Sequence, residues 1–305
     1  MPFNLGLKLE AFAADKFIIT LPDIEKYTMT LKGVLPEEKY ADLANGYRIH
    51  YLDRGEGPVV VFLHGSGPGA SGYSNFKTNF PELVGAGFRC IIPDLIGYGF
   101  SDKPDDVQYP LSFFVECVKQ TLDAAGVDKY TLVGNSLGGA IAIQFALDYP
   151  QNVEKLVLMA PGGLSSMAEY GQMAGMQKMR EVFGSGQGVT PEVMKNLFSF
   201  GLMYDPKHAT DELMAERMQI MQIMNGQVMG TMHVPELTER LPELDLPVLA
   251  FWGMNERMMP DSGILNLGKN CKNLQLVCVS ECGHWVMVEH REMFNRSTIE
   301  FLQNS

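Results

Sequence analysis

A serine flanked by glycines is the first candidate for chemistry in this sequence. Residues 134–138 read GNSLG, which matches the pattern G-x-S-x-G. The pattern directly follows an apolar run at 130–133 and leads into a helix-length segment at 137–147. A sharp turn between a strand and a helix exposes the serine hydroxyl and requires glycines around it. We therefore predict that Ser136 is a nucleophile rather than a structural turn residue.

A serine hydroxyl needs a base that takes its proton and an acid that orients the base. His284 is the candidate base because it lies just beyond the last apolar run. The acid is expected after the preceding run, where Glu256 is the first candidate and Asp261 is the alternative. The remaining histidines are interpreted as surface or structural residues: His50, His64, His208, His233 and His290.

A glycine-rich loop is expected to complete this site. Acyl transfer needs two backbone N–H groups for the oxyanion, one after the nucleophile and one from an earlier loop. Leu137 follows the nucleophile, and Ser66 lies in the loop at 64–70, which reads HGSGPGA. The loop has no G-x-x-x-x-G-K-[ST] pattern, so a nucleotide cradle is not expected. The sequence predicts acyl chemistry with neither an organic cofactor nor a metal.

The elements that must position these residues alternate between strands and helices. An Asn-Gly pair at 45–46 predicts a hairpin within residues 39–52. Short apolar runs follow at 59–63, 90–92, 131–133, 156–159, 248–251 and 274–279, and helix-length segments such as 111–125 and 137–147 separate several of them. This alternation is typical of an α/β fold with a mostly parallel central sheet flanked by helices.

The alternation stops for about eighty residues before the last two strands. We predict a helical cap, or lid, at 164–242, inserted into a core formed by 39–163 and 243–305, with residues 1–38 as an N-terminal extension. Methionines at 214, 218 and 221 fall at helical spacing within the cap. That stripe is interpreted as packing, as an adaptable wall over an apolar ligand, or as both.

Composition narrows the possible partners and the compartment. The 305 residues carry a formal net charge of −12, which argues against nucleic acid and membrane surfaces as partners. No apolar run approaches the roughly 20 residues that span a bilayer, and no signal peptide is recognised, so a cytoplasmic location is expected. Five cysteines without a C-x-x-C pair predict reduced thiols rather than disulfides or a zinc site.

Together, these residues resemble a known family, the meta-cleavage product hydrolases of the α/β-hydrolase fold. The resemblance spans about 40–302. It is carried by the segments 64–70 (HGSGPGA), 73–76 (YSNF), 134–139 (GNSLGG), 159–164 (MAPGGL) and 282–285 (CGHW). The sequence departs from the family pattern at two positions, with Glu256 where the family usually has Asp and Tyr73 where it usually has Trp.

The resemblance implies hydrolysis of the C5–C6 bond of an anionic 2-hydroxy-6-oxohexa-2,4-dienoate, and it implies a homodimer. Ser136, His284 and Glu256 fall on the family's triad. Positions implied to bind the dienoate end of the substrate are Gly65, Asn75, Asn135, Arg217 and Trp285. The variable group on C6 is expected to face Phe183, Phe198, Leu202 and Met258.

Two other functions stay open from the residues alone. The same triad and oxyanion loop would serve a carboxylesterase or thioesterase. A ligand receptor that closes its cap without turnover is the third hypothesis. Arg217 separates the dienoate hydrolase from the esterase, because an ester without a carboxylate has no use for this cation.

Overall fold

The computed structural model describes residues 38–185 and 188–304. The predicted N-terminal extension therefore lies outside the described residues, except for residue 38, which begins the first strand. The predicted sheet is confirmed. Its strands are β1 (Glu38–Asp42), β2 (Arg48–Arg54), β3 (Val59–Leu63), β4 (Arg89–Pro93), β5 (Tyr130–Asn135), β6 (Val153–Met159), β7 (Val248–Gly253) and β8 (Leu274–Val279).

The sheet has the order β1-β2-β4-β3-β5-β6-β7-β8. β1 and β2 form the predicted hairpin, β2 pairs with β4 in the antiparallel direction, and all other pairs are parallel. The central strands are covered on both faces, and Val61, Leu132 and Val157 have no exposed surface. Because these strands run in parallel, the loops at their carboxyl ends meet at one edge of the sheet.

Helices cover both faces of the sheet, as expected for parallel strands joined by crossovers. The helices outside the cap are α1 (Gly72–Phe76), α2 (Phe80–Gly85), α3 (Leu111–Ala124), α4 (Leu137–Asp148), α10 (Ser262–Asn270), α11 (Val286–Glu289) and α12 (Arg291–Gln303). α4 is apolar nearly all round and is buried against β3, β5 and β6. This burial fixes the start of α4, where the glycine-flanked serine lies.

Between β6 and β7 the described chain forms helices and no strand of the sheet. They are α5 (Met167–Gln172), α6 (Ala174–Gly184), α7 (Pro191–Gly201), α8 (Asp211–Gln222) and α9 (Gln227–Thr231), with 3₁₀ turns at Pro206–His208 and Thr238–Glu243. Thr190 and Thr210 begin α7 and α8 by accepting backbone N–H groups of the first turn. Met214 and Met218 of the predicted stripe are buried on α8. The exact limits of the cap stay a prediction.

Two further sequence expectations concern thiols and membranes. All five cysteines are unpaired in the structure, and four of them are buried, whereas Cys278 is exposed. Among the described helices, none has both the length and the apolar character needed to cross a bilayer.

Candidate active site

Ser136 occupies a strained turn between β5 and α4. Its φ of 56° and ψ of −117° lie in a region that residues other than glycine rarely adopt. Such a conformation costs about 1–3 kcal/mol and persists only when the surroundings impose it. Here the Ser136 N–H donates to the Met159 carbonyl at 3.0 Å, and the Ser136 carbonyl accepts from the Gly162 N–H at 2.9 Å. Both backbone groups are therefore tied to β6 and the loop that follows it.

The glycines around Ser136 are required by close backbone approaches. A Cβ atom on Gly134 would lie 2.3 Å from the Gly138 carbonyl oxygen. A Cβ atom on Gly138 would lie 2.0 Å from the Leu63 carbonyl oxygen at the end of β3. The turn can close, and α4 can pack against β3, only because these positions lack side chains. This is the physical reason for the G-x-S-x-G pattern in this chain.

His284 and Glu256 form a buried pair. His284 Nδ1 lies 2.6 Å from Glu256 Oε2, and the two side chains are 3% and 0% exposed. The carboxylate can only accept, so Nδ1 carries the hydrogen and Nε2 keeps a basic lone pair. The second carboxylate oxygen accepts from the backbone N–H groups of Arg257 and Met258 at 2.8 and 2.6 Å. The structure thus brings Glu256 to His284, whereas the alternative acid Asp261 is exposed at the start of α10.

The pair is held beside the strained serine through the backbone. The Asn135 side-chain amide donates to the His284 carbonyl at 3.4 Å and to the Met159 carbonyl at 3.3 Å. Asn135 directly precedes the serine, so β5 and the loop after β8 are joined next to Ser136. All three residues of the predicted triad are buried, with Ser136 8% exposed. The arrangement can support proton transfer from a serine hydroxyl in a site that excludes most water.

The predicted oxyanion loop lies directly against the serine. A Cβ atom on Gly65 would lie 3.2 Å from Ser136 Cβ, so the loop backbone passes the serine at close range. Leu137 is the first residue of α4, and its N–H has no acceptor within the helix. Ser66, the other predicted donor, follows Gly65 and is half-buried. The loop and the start of α4 therefore lie next to each other at Ser136.

His64 anchors this loop, a role that the sequence analysis did not assign. Its Nδ1 lies 2.8 Å from the Gly65 carbonyl oxygen, and its Nε2 lies 3.0 Å from the Leu95 nitrogen. Because the Leu95 N–H can only donate, Nε2 accepts and Nδ1–H donates to Gly65. Burial lowers the pKa of His64 to about 4, against the opposing charge of Asp94. His64 is therefore a neutral support for the loop across the physiological range.

The lowered pKa of His64 predicts a pH-dependent stability. The unfolded chain takes up this proton near pH 6.5, whereas the folded protein resists it until about pH 4. The free energy of unfolding therefore falls as the pH drops through this window, by about 2 kcal/mol between pH 7 and pH 5. Urea unfolding at pH 7 and pH 5 should show this fall in the free energy of unfolding for the parent protein. The fall should be absent in His64→Gln. Equal pH dependence in both proteins, or a ring that titrates near pH 6.5 by NMR, would contradict the assignment.

Arg217 on α8 is a fully buried cation, and no carboxylate of residues 38–185 or 188–304 forms an ion pair with it. Its Nη2 donates to Asn75 Oδ1 at 2.5 Å, and its Nη1 donates to the Pro68 carbonyl at 3.4 Å. Its Nε has no hydrogen-bond partner in the described part of the chain. Burial lowers the pKa of the guanidinium to about 9, against the opposing charge of Glu216, and the group stays charged at neutral pH.

Two aromatic rings flank this guanidinium. Its central carbon lies 4.8 Å from the Trp285 ring centroid and 5.3 Å from that of Phe198. The two rings are perpendicular to each other, with centroids 5.3 Å apart. A Cβ atom on Gly69 would lie 2.0 Å from the Arg217 carbonyl oxygen, so the cap helix rests on the oxyanion loop. The cap thus delivers a positive charge to the same loop that approaches Ser136.

The two predicted asparagines differ in what they can offer. The Oδ1 atom of Asn75 is used by Arg217, so its amide N–H groups are left as donors. The amide N–H groups of Asn135 are used by backbone carbonyls, and its Oδ1 has no partner among the described residues. Asn75 therefore presents donors, whereas Asn135 presents an acceptor.

Three of the four residues predicted to face the C6 group are brought together. Phe198, Leu202 and Met258 are all at most 5% exposed. The side chain of Met258 lies between the cap helices α6 and α7. A Cβ atom on Gly175 of α6 would lie 2.5 Å from the Met258 sulfur, and a Cβ atom on Gly201 of α7 would lie 3.6 Å from it. Phe183 lies at the cap surface, 36% exposed, and is not part of the apolar core. The structure does not bring Phe183 to the other three residues, because the face of α6 that carries it points to solvent.

Comparisons with known proteins identify the proteins that this chain resembles. The family model of the alpha/beta hydrolase fold matches residues 58–185. The chain is 37% identical over 284 residues to the 2-hydroxy-6-oxo-6-phenylhexa-2,4-dienoate hydrolase of Burkholderia cepacia, an alignment that covers 90% of this chain and 97% of the relative. It is 36% identical, with the same coverage, to the 2-hydroxy-6-oxononadienedioate/2-hydroxy-6-oxononatrienedioate hydrolase of Comamonas testosteroni.

Solved structures show the same likeness. A meta-cleavage product hydrolase from Pseudomonas fluorescens superposes with a TM-score of 0.76 at 31% sequence identity. The superposition covers 87% of this chain and 97% of the solved one. The similarity therefore extends over the sheet, the cap and the loops that carry the site.

Proposed function

The chain belongs to the meta-cleavage product hydrolases of the α/β-hydrolase fold, and from that premise we propose how its residues act. It is a hydrolase that cleaves the C5–C6 bond of a 2-hydroxy-6-oxohexa-2,4-dienoate, a ring-fission product of aromatic catabolism. The products are 2-hydroxypenta-2,4-dienoate and a carboxylic acid. The observation that carries the residue assignment is the buried charge of Arg217 beside the oxyanion loop, and this charge has no counter-ion among the described residues.

Arg217 binds the carboxylate of the dienoate in this proposal. A buried cation without a counter-ion is costly, and an anionic ligand offsets that cost. A guanidinium offers paired N–H groups to a carboxylate, which makes such contacts both strong and directional. Asn75 donates a further hydrogen bond to the same end of the substrate. The free acceptor Oδ1 of Asn135 suits the 2-hydroxyl group.

Bond cleavage begins with a change of tautomer. The bound dienolate takes up a proton from water at C5, which gives a ketone at C2 that can accept the electron pair of the C5–C6 bond. His284, oriented by Glu256, then removes the proton of Ser136, and the hydroxyl oxygen attacks the C6 carbonyl. The backbone N–H groups of Ser66 and Leu137 stabilise the resulting oxyanion.

Collapse of this intermediate separates the two products. The C5–C6 bond breaks, its electron pair enters the departing dienolate, and an acyl group remains on Ser136. The proton that His284 took from Ser136 passes to the 2-oxygen of this dienolate, which leaves as 2-hydroxypenta-2,4-dienoate. A water molecule then transfers a proton to the neutral His284 as it attacks the acyl carbon. His284 returns this proton to the Ser136 oxygen as the carboxylic acid leaves. The same base and the same oxyanion donors serve both halves of the reaction. No step calls for a group beyond these residues and water.

The C6 substituent is apolar in this proposal. Its wall is formed by Phe198, Leu202 and Met258, which are apolar and buried. Among the described residues, Arg217 is the only buried lysine or arginine, and it is assigned to the other end of the substrate. A second carboxylate on C6 would therefore be buried without a cation. The 6-phenyl type of substrate suits this wall better than the dioate type.

The function is tested with a set of yellow dienolates that differ only at C6. The purified protein should bleach the 6-phenyl and 6-alkyl compounds and release equimolar carboxylic acid, measured by absorbance and chromatography. The compound with a carboxyethyl group at C6 should have a kcat/KM lower by at least about 10²-fold, because its second charge is left unpaired. Hydrolysis of nitrophenyl esters without bleaching of any dienolate would contradict the function and favour an esterase.

Replacing Arg217 separates dienoate cleavage from ester hydrolysis. We expect Arg217→Met to lower kcat/KM for the dienolate by about 10²–10³-fold, the loss of a charge-assisted bidentate contact, and to spare a neutral nitrophenyl ester. Because a buried unpaired charge is removed, the free energy of unfolding should equal or exceed that of the parent. Arg180 is exposed on α6, and Arg180→Met is the matched control. This variant should have the parental kcat/KM for both the dienolate and the ester. Equal losses on dienolate and ester would contradict the assignment of Arg217.

We also propose that the enzyme works as a homodimer in the cytoplasm. The dimer rests on the family resemblance. The compartment is supported by the acidic charge and by five free thiols, which are typical of a reducing environment.

A further inference from the structure

One carboxylate outside the triad joins the loop of the catalytic histidine to the cap. Glu289 is the last residue of α11, four positions after Trp285. Its Oε1 accepts from the Gly283 N–H at 2.7 Å. Its Oε2 accepts from the N–H groups of Tyr204 and Asp205 at 2.7 and 3.0 Å. A single side chain therefore satisfies three backbone donors from two segments that are distant in sequence.

The two segments carry opposite parts of the proposed site. Gly283 directly precedes His284 in the loop after β8. Tyr204 and Asp205 follow Leu202, which is assigned to the wall around the C6 group. The segments also touch each other directly, because the His284 N–H donates to the Leu202 carbonyl at 2.8 Å. Glu289 thus stabilises the contact between the loop that carries His284 and the cap segment that follows Leu202.

The close fit at Gly283 makes this contact sensitive to position. A Cβ atom there would lie 2.8 Å from the Leu202 carbonyl oxygen and 3.0 Å from the Tyr204 nitrogen. The cap backbone therefore rests on the histidine loop without an intervening side chain. A shift of the cap segment displaces the peptide that carries His284, and an error of about 1 Å in a catalytic group can cost 10²-fold in rate.

We propose that Glu289 is a positioning residue that fixes His284 through the cap, so that the base is in place only when the wall around C6 is in place. This inference rests on the proposed function for its substrate but not for its geometry. The negative charge strengthens all three hydrogen bonds, since charge-assisted bonds to backbone N–H groups are roughly twice as strong as neutral ones. Loss of the carboxylate releases both segments together.

Glu289→Gln is the variant that tests the inference. A glutamine keeps the shape but has one accepting oxygen, so its NH₂ group faces either the Gly283 N–H or the two cap N–H groups. We expect kcat to fall by about 10–100-fold. KM should change by less than about 3-fold, because Arg217 and Asn75, which bind the substrate carboxylate in this proposal, make no hydrogen bond with Glu289. Glu289→Asp keeps the charge and should recover part of the lost kcat. The exposed Glu292→Gln, one turn further along, is the control and should match the parent.

Two readouts distinguish positioning from mere structural support. The short Nδ1–H hydrogen bond from His284 to Glu256 should give a downfield proton resonance, and this resonance should shift or broaden in Glu289→Gln. Inactivation of Ser136 by a small fluorophosphonate should slow in parallel with kcat. The inference would be overturned if folded Glu289→Gln had the parental kcat, the parental proton resonance and the parental inactivation rate, and differed from the parent only by a lower melting temperature.

The same comparison is made with a nitrophenyl ester. Ester hydrolysis uses Ser136 and His284 in the same way, so its kcat should fall in Glu289→Gln as well. If the parent cleaves the ester but no dienolate, the proposed function fails and the role of Glu289 is still measured. If Glu289→Gln leaves ester turnover unchanged, the role of Glu289 fails whatever the substrate.

Discussion

Ser136→Ala is expected to lower kcat for the dienolate by about 10⁶-fold, the loss seen when a triad that acts as a unit is deprived of its nucleophile. The alanine removes the only atom that forms the acyl intermediate, whereas Arg217, Asn75 and the apolar wall are untouched. The dissociation constant of the dienolate should therefore stay within about 3-fold of the parent KM. Stopped-flow absorbance measures both quantities in a single experiment.

The control and the contrary results are equally direct. Ser165→Ala removes a buried hydroxyl that bonds to Ser262 in the core and should keep parental turnover. Turnover retained in Ser136→Ala would contradict every enzymatic role for this serine. A parent protein that binds dienolates tightly but does not turn them over would favour the receptor hypothesis.

Glu256→Gln is expected to lower kcat by about 10⁴-fold without a comparable change in KM. The Oε1 atom of Glu256 accepts from two backbone N–H groups, so the glutamine oxygen should take that side. Its NH₂ group then faces His284 Nδ1 and forces the hydrogen onto Nε2, which removes the lone pair that must take the serine proton. The pH profile of kcat/KM tests this loss of a functional base.

Asp261→Asn is the matched control for the acid. Asp261 is exposed at the start of α10, so Asp261→Asn should have the parental kcat. If Asp261→Asn were the damaging change and Glu256→Gln the harmless one, the acid of the triad would have to be reassigned.

The extra methylene of Glu256 is accommodated by the turn after β7. The side chain bends back so that Oε1 meets the N–H groups of the next two residues, Arg257 and Met258. This leaves Oε2 at 2.6 Å from the imidazole, close enough to act as the usual aspartate does. A sequence pattern gives the position of an acid after a strand, but it does not give the path of the side chain.

Much of the fold could be predicted because its signals are local. Apolar runs, the Asn-Gly hairpin and the G-x-S-x-G turn each depend on neighbours within a few residues, and all appear where expected. Ser136 and His284 were identifiable because parallel strands bring the loops at their carboxyl ends to one edge. The elements that hold the site therefore follow from pattern and topology.

The supporting contacts could not be predicted in the same way. Glu289 meets Tyr204 across 85 positions of sequence, and His64 meets Leu95 across 31. No local pattern records such pairs, so His64 was interpreted only as a surface or structural residue and Glu289 was not singled out. Phe183 is a residue that the sequence places wrongly at the C6 group. A large apolar residue on a cap helix can face either solvent or substrate, and the sequence alone does not say which.

A crystal structure of Ser136→Ala with a bound 6-phenyl dienolate tests the central claim most directly. We predict that the carboxylate lies about 2.8 Å from the Arg217 guanidinium and that the C6 oxygen accepts from the Leu137 N–H at about 2.9 Å. The phenyl ring should lie against Phe198, Leu202 and Met258. A ligand bound in the reverse direction, with its carboxylate at the Leu137 N–H and its phenyl ring on Arg217, would contradict the account.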